Sequence, residues 1–246
     1  MKIFPYLILL IPVANPVWAQ ISDLSLGLGG TLETSAYNMR YRDYSVLPVL
    51  NYDDDTWYLD GAEAGYYLIN NDVNELKIKT YYDFTSYNSN LGHGDAMRSL
   101  KDRHGSLMAG FSYQYTTGYG AVHTQVAADT LGRSKGLVGE VSYLNMLTFN
   151  SLTLVPEIGG AWANAQQNRY YYGISRHESH RSGLRAYHPH GSITPFVALT
   201  VNYSLSKKWN FYTKFRSDFL PSELRDSPMV GHDGIYSYSL GVIYDF

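Results

Sequence analysis

Tyr236-Ser-Tyr-Ser-Leu-Gly-Val-Ile-Tyr-Asp-Phe246 decides the fold. Tyr236, Tyr238, Leu240, Val242, Tyr244 and Phe246 fall on one face of a strand, and Ser237, Ser239, Gly241, Ile243 and Asp245 on the other. The first face is apolar in its middle and aromatic at both ends. That is the pattern of a strand crossing a bilayer, with rings at the two interfaces. The second face is small and weakly charged. A soluble sandwich alternates too, but its second face meets water and carries Lys and Glu. Small residues instead suit the crowded inside of a narrow barrel.

Working outward from the C-terminus, the alternation recurs. Leu24, Leu26 and Leu28 oppose Ser25, Gly27 and Gly29; Val197, Leu199 and Val201 oppose Ala198, Thr200 and Asn202. Segments with this period cover 22–31, 44–52, 56–69, 74–84, 106–116, 119–129, 136–147, 151–163, 193–204, 208–218 and 235–246. A single-chain barrel with both termini on one side needs an even number of strands. Within 56–69 the apolar residues switch from odd (Trp57, Leu59) to even positions (Ala62, Ala64, Tyr66), and Asp60-Gly61 between them is a hairpin signal. A turn there makes twelve strands; ten is the alternative. The expected fold is all-β, a transmembrane antiparallel up-and-down barrel in the outer membrane of a Gram-negative bacterium. Short connections at 53–55, 70–73, 117–118, 148–150 and 205–207 should be periplasmic. Long ones at 32–43, 85–105, 164–192 and 219–234 should lie outside.

The composition agrees. The 246 residues include 22 Gly and 24 Tyr, no Cys, and only 17% charged residues at a formal net charge of -3. Without Cys there is no disulfide framework and no thiolate metal site. A charge near zero argues against nucleic-acid partners. Residues 1–19 read as a cleaved signal peptide, with Lys2, an apolar run Ile3–Val13 and small residues Val17 and Ala19 before the cut. Residues 20–246 are then the barrel.

Strand alternation turns Lys77, Lys79, Asp129, Glu140, Glu157, Lys214 and Arg216 inward, because a Lys or Arg facing lipid at midplane costs roughly 2–4 kcal/mol. Mixed signs favour internal ion pairs and a filled lumen over an open, ion-selective pore. The loop 164–192 carries Tyr170, Tyr171, Tyr172, Arg176, Arg181 and Arg185. These are candidate outer contacts, the arginines for lipopolysaccharide phosphates. His177, His180, His188 and His190 match no strong zinc spacing, so neither a metal nor a cofactor is expected. Ser175, Ser179 and Ser182 lie near His177 and His180, and His123, Asp129 and Ser112 are interior, but neither set has the spacing of a triad. Residues 95–104 read as a short helix placing Met97 and Leu100 on one face, or as a loop packing both over the barrel mouth.

Leu47-Pro-Val-Leu-Asn-Tyr52, Leu100-Lys-Asp-Arg103 with Met108-Ala-Gly110, Tyr170-Tyr-Tyr-Gly-Ile-Ser175, Ser182-Gly-Leu-Arg-Ala-Tyr187 and Asp226-Ser-Pro-Met229 occur together and in this order. In these the chain resembles the MipA/OmpV family of outer-membrane proteins. The resemblance implies a barrel and, from the family's namesake, a non-enzymatic scaffold joining a lytic transglycosylase to a bifunctional murein synthase. A narrow channel for small solutes and a barrel hydrolase are the alternatives. A murein scaffold meets its partners in the periplasm, where this topology leaves only short turns.

Overall fold

The structure, a computed structural model, describes residues 24–39 and 43–246. The signal peptide expected at 1–19 lies outside the described residues. Twelve antiparallel strands follow one another around a closed sheet: β1 (Leu24–Glu33), β2 (Asp43–Asp53), β3 (Trp57–Asp60), β4 (Glu63–Asn70), β5 (Asn74–Asp83), β6 (Ser106–Thr117), β7 (Gly120–Asp129), β8 (Leu137–Leu144 and Leu147–Phe149), β9 (Leu152–Ala163), β10 (Ser192–Ser204), β11 (Trp209–Phe219) and β12 (Gly234–Asp245). The sheet closes where β12 pairs β1, from Ser25 opposite Asp245 to Glu33 opposite Ser237. Closure pairs the first strand with the last, so neither is left as a free edge in lipid.

The strands turn most of their apolar residues outward. Leu26, Leu28 and Leu32 on β1, Phe111, Tyr113 and Tyr115 on β6, and Tyr236, Tyr238 and Leu240 on β12 are all exposed. Gly29, Thr31, Ser112, Ser142 and Ser239 face in and are buried. Aromatic side chains lie over inward glycines: a Cβ at Gly241 would meet the Tyr212 ring, one at Gly29 the Tyr212 hydroxyl, and one at Gly159 the Phe196 ring. These glycines leave the space that the rings fill.

A hairpin turn does form there, one residue on from Asp60-Gly61: Gly61, at φ 55°, and Ala62 make the turn between the paired Asp60 and Glu63. Trp57 packs against Tyr66 across it with ring centroids 4.7 Å apart. The change of phase within 56–69 is therefore a change of strand, and the count is twelve. A bulge between Tyr67 and Ile69 shifts the phase again near the turn at 71–73. The break inside β8 at Asn145 and Met146 was not expected. Pro156 lies opposite on β9 and has no N–H for the ladder, though its carbonyl still accepts from the Asn145 N–H at 3.1 Å. A proline in a sheet is tolerated at such an interruption.

The long loops are folded. They hold a 3-10 turn (Ser89–Leu91) and four helices, α1 (Gly94–Arg98), α2 (Ala165–Tyr172), α3 (Arg176–Ser182) and α4 (Ser222–Arg225). The helix expected over 95–104 stops at Arg98, and both Met97 and Leu100 are buried. Tyr37, Tyr87, Met97, Leu100, Ile174 and Met229, drawn from four loops, form one buried core over the barrel end.

Candidate functional site

Two regions concentrate polar chemistry, the lumen and the cap. In the lumen, Lys79 Nζ lies 2.9 Å from Glu63 Oε2, with both side chains buried. Lys77 pairs Glu75 at 2.7 Å. Arg216 pairs Asp218 at 2.9 Å and Glu140 at 3.2 Å, and its guanidinium lies 3.6 Å over the Phe196 ring. Strand period explains the grouping: β5 sends Lys77 and Lys79 inward, and β11 sends Lys214, Arg216 and Asp218. Buried ions persist only when paired and hydrogen-bonded. The Arg216 Nη1, Tyr212 hydroxyl, Ser142 hydroxyl and Gln114 Oε1 have no protein partner. Such buried groups are ordinarily satisfied by ordered water.

Of the seven expected lumen charges, Asp129 works elsewhere. It sits at the end of β7, where its carboxylate accepts the N–H groups of Ser134 (2.7 Å) and Lys135 (2.8 Å) and orders the loop at 130–136. A rim carboxylate reaches its own loop more readily than the middle of the barrel. Glu63, Glu75 and Asp218 take part in the pairs and were missed. Their signal was present, since Ala64 and Tyr66 outward require Glu63 inward, and Asp218 continues the face of Lys214 and Arg216.

The cap is knit by the loops at 84–105 and 164–191. Arg103 Nη2 lies 2.8 Å from Glu178 Oε1, with both side chains buried. Arg103 also donates to the carbonyls of Lys101 (2.8 Å) and Gly173 (3.2 Å). Glu178 closes a capping box with Ser175 at the start of α3 and accepts the Lys101 N–H at 3.2 Å. Burial alone would raise the Glu178 carboxyl. Hydrogen bonds from Arg103 and Ser175 outweigh it and hold the group at about 2. Burial raises the Tyr37 phenol well above its ordinary range. Ile174 and Tyr187 exchange backbone hydrogen bonds, each 2.9 Å, and Asn38 N–H donates to the Met229 carbonyl at 2.9 Å.

The structure divides the expected outer contacts. Tyr171 is only 2% exposed, and its hydroxyl donates to the His104 carbonyl. Tyr172 packs beside the cap core. These two rings build the cap and do not face solvent, because the loop folds into α2 instead of staying open. Tyr170 is half-buried, and its hydroxyl accepts from the His104 N–H. Arg176, Arg181 and Arg185 remain exposed; Arg181 donates to the Ser99 carbonyl at 2.6 Å and Arg185 to that of Asp226 at 3.0 Å. The Ser175 hydroxyl bonds Glu178, not a histidine. Among the described residues, no three His, Cys, Asp or Glu side chains gather to hold a metal.

A closed apolar-belted barrel with short turns at one end and long folded loops at the other is an outer-membrane β-barrel protein. The fold matches the NanC porin, with TM-score 0.50 and 12% identity over 90% of this chain and 100% of that one. Residues 26–246 match the family model described as MltA-interacting protein MipA, and the chain belongs to that family. It is 38% identical over 222 residues to the MltA-interacting protein of Escherichia coli K12, covering 90% of each chain. It is 22% identical over 205 residues to outer membrane protein Omp26La of Vibrio anguillarum, covering 83% of this chain and 79% of that one. Outer-membrane barrels as a class carry short periplasmic turns and longer outer loops.

Proposed function

We propose that the chain is a non-enzymatic scaffold, a barrel that anchors partners at the outer membrane. The folded cap over the barrel end carries this reading. A core of tyrosines and methionines covers the lumen from four loops, and paired ions occupy the wall beneath it. A solute pathway needs neither feature. By its relation to the MltA-interacting protein, the partner is a murein lytic transglycosylase, to which the family resemblance adds a bifunctional murein synthase.

The partner docks on the periplasmic turns. Asp53, Asp54 and Asp55 form one turn, and the Asn70 side chain, one residue from the next turn at 71–73, donates to the Asp55 carbonyl. Tyr119 is 86% exposed at its turn and Leu205 60%. An acidic patch at the 53–55 turn, with exposed apolar tips on other turns, supports a partner surface of basic and aromatic character. On the opposite end, exposed Arg176 and Arg181 support contact with lipopolysaccharide phosphate.

Pull-down from solubilised envelopes tests the scaffold. The intact chain should retain murein enzymes, and the variant Asp54→Lys, Asp55→Lys, Tyr119→Ala should lose them while still folding. Recovery of no murein enzyme by the intact chain defeats the proposal. Stepwise conductance of the intact chain in planar bilayers would replace it with the channel reading.

A further inference from the structure

The β3–β4 hairpin is too short to complete the wall. β3 has four residues, and only Asn51, Tyr52 and Asp53 of β2 pair with it. At the hairpin tip the Gly61 N–H donates to the Leu50 carbonyl at 3.0 Å, and on the other side the Tyr82 N–H donates to the Ala62 carbonyl at 3.2 Å. Beyond that level β5 ends at Asp83, while β2 continues from Val49 back to Asp43. Among the described residues, no strand pairs with this half of β2 on the side away from β1. The two absent strand widths amount to about 10 Å of wall.

Direction along β2 follows from the Gly61 bond. Leu50 turns its backbone groups toward β3, so Pro48 and Val46, two and four residues on, turn theirs the same way. Both lie within the apolar belt, opposite Leu28 and Gly30 of β1. Open sheet edges do not stand in bare hydrocarbon. Pro48 has no N–H, so an added strand cannot run a full ladder here. What the edge offers is the two carbonyls of Val46 and Pro48 and a single N–H. Such an edge calls for hydrogen-bond donors. Beside it, the Val46 side chain is 65% exposed and Leu50 is exposed as well. Polar acceptors beside outward apolar side chains suit a molecule with a donor-rich head and a hydrocarbon tail.

We propose that the gap bounded by the outer half of β2, the Gly61–Ala62 tip and the end of β5 is a lateral binding niche for a sugar-headed amphiphile of the surrounding leaflet. The hydroxyls bond the Val46 and Pro48 carbonyls, and the alkyl chain lies along Val46 and Leu50. This niche is independent of the periplasmic docking face.

The full chain, purified in mixed micelles, is photolabelled with a diazirine-tailed alkyl maltoside and, separately, with the matching alkyl phosphocholine, whose head has no donor. Peptide mapping should place the maltoside label on residues 45–50 and 82–84. It should exceed the phosphocholine label there by about fivefold for each hydrogen bond gained. Val46→Trp should reduce that labelling to the level of the rest of the belt, while Val141→Trp on the far side leaves it unchanged. Equal labelling by the two heads, or labels spread evenly round the belt, overturns the proposal. A polypeptide captured by benzoylphenylalanine at position 46 in cells overturns it too, in favour of a protein partner. The two-head comparison needs no substitution, so it decides the matter even if Val46→Trp does not fold.

Discussion

Replacing Arg103 by Met should unlock the cap without dismantling the barrel. The substitution removes three hydrogen bonds, to Glu178 Oε1 (2.8 Å), the Lys101 carbonyl (2.8 Å) and the Gly173 carbonyl (3.2 Å). It leaves a buried carboxylate without its cation. Breaking one side of a buried pair costs about 3–5 kcal/mol. Glu178 keeps its donors from Ser175 and Lys101, which places the expected cost near the lower bound, about 3 kcal/mol. At about 1.4 kcal/mol per decade, that raises the open fraction of the cap roughly a hundredfold. Amide hydrogen exchange reads this at Ile174 and Tyr187, whose N–H groups bond each other's carbonyls within the loop that carries Glu178 and that Arg103 ties to its neighbour. Their protection should fall by that factor while the amides of β6 and β7 keep theirs. Arg103→Met combined with Glu178→Leu should recover most of the loss, since an apolar pair of similar volume is close to neutral. Unchanged exchange at Ile174 and Tyr187 in the single variant would refute the reasoning, because the pair would then not hold the loops together.

Acid should loosen the same contact. Glu178 is held at about 2, below the ordinary glutamate value of about 4.3. Its stabilisation is complete above the unfolded value and disappears as pH falls toward 2. Near-ultraviolet circular dichroism from the buried Tyr37 and Tyr87 should weaken across that interval, before the barrel itself unfolds. Gly110→Ala should impair assembly, because the new Cβ would collide with the Val126 carbonyl oxygen. The cost is about 3 kcal/mol, seen as loss of the heat-modifiable gel band. Val141 is exposed on the outer surface, so Val141→Arg should lower unfolding free energy in lipid by about 2–4 kcal/mol. A denaturant titration in vesicles showing no change would contradict the belt assignment at that position.

Sequence periodicity exposed the barrel well, for a simple reason. Each strand meets lipid on one side, and every second residue must be apolar or small accordingly. β12 shows this from Tyr236 to Phe246, and the Asp60-Gly61 turn could be read from the phase change around it. The break in β8 was not legible, because it answers Pro156, which lies on another strand. The lumen charges were partly legible. Phase alone finds which side chains point in, but the pairing of Lys79 with Glu63 depends on the hairpin being where it is. The cap was the least legible. Tyr37, Tyr87, Met97, Ile174 and Met229 carry no shared period, and their meeting depends on barrel closure bringing four distant loops together. Tyr171 therefore read as a surface residue, although α2 turns it inward.

The bond from Asn38 to the Met229 carbonyl joins the segment after the first strand to the segment before the last. Neither end of that contact is near the other until β12 has zipped onto β1. The outer lid thus acts as a closing latch that sets after the cylinder is complete. Burial of Tyr37 then becomes a natural reporter of finished insertion.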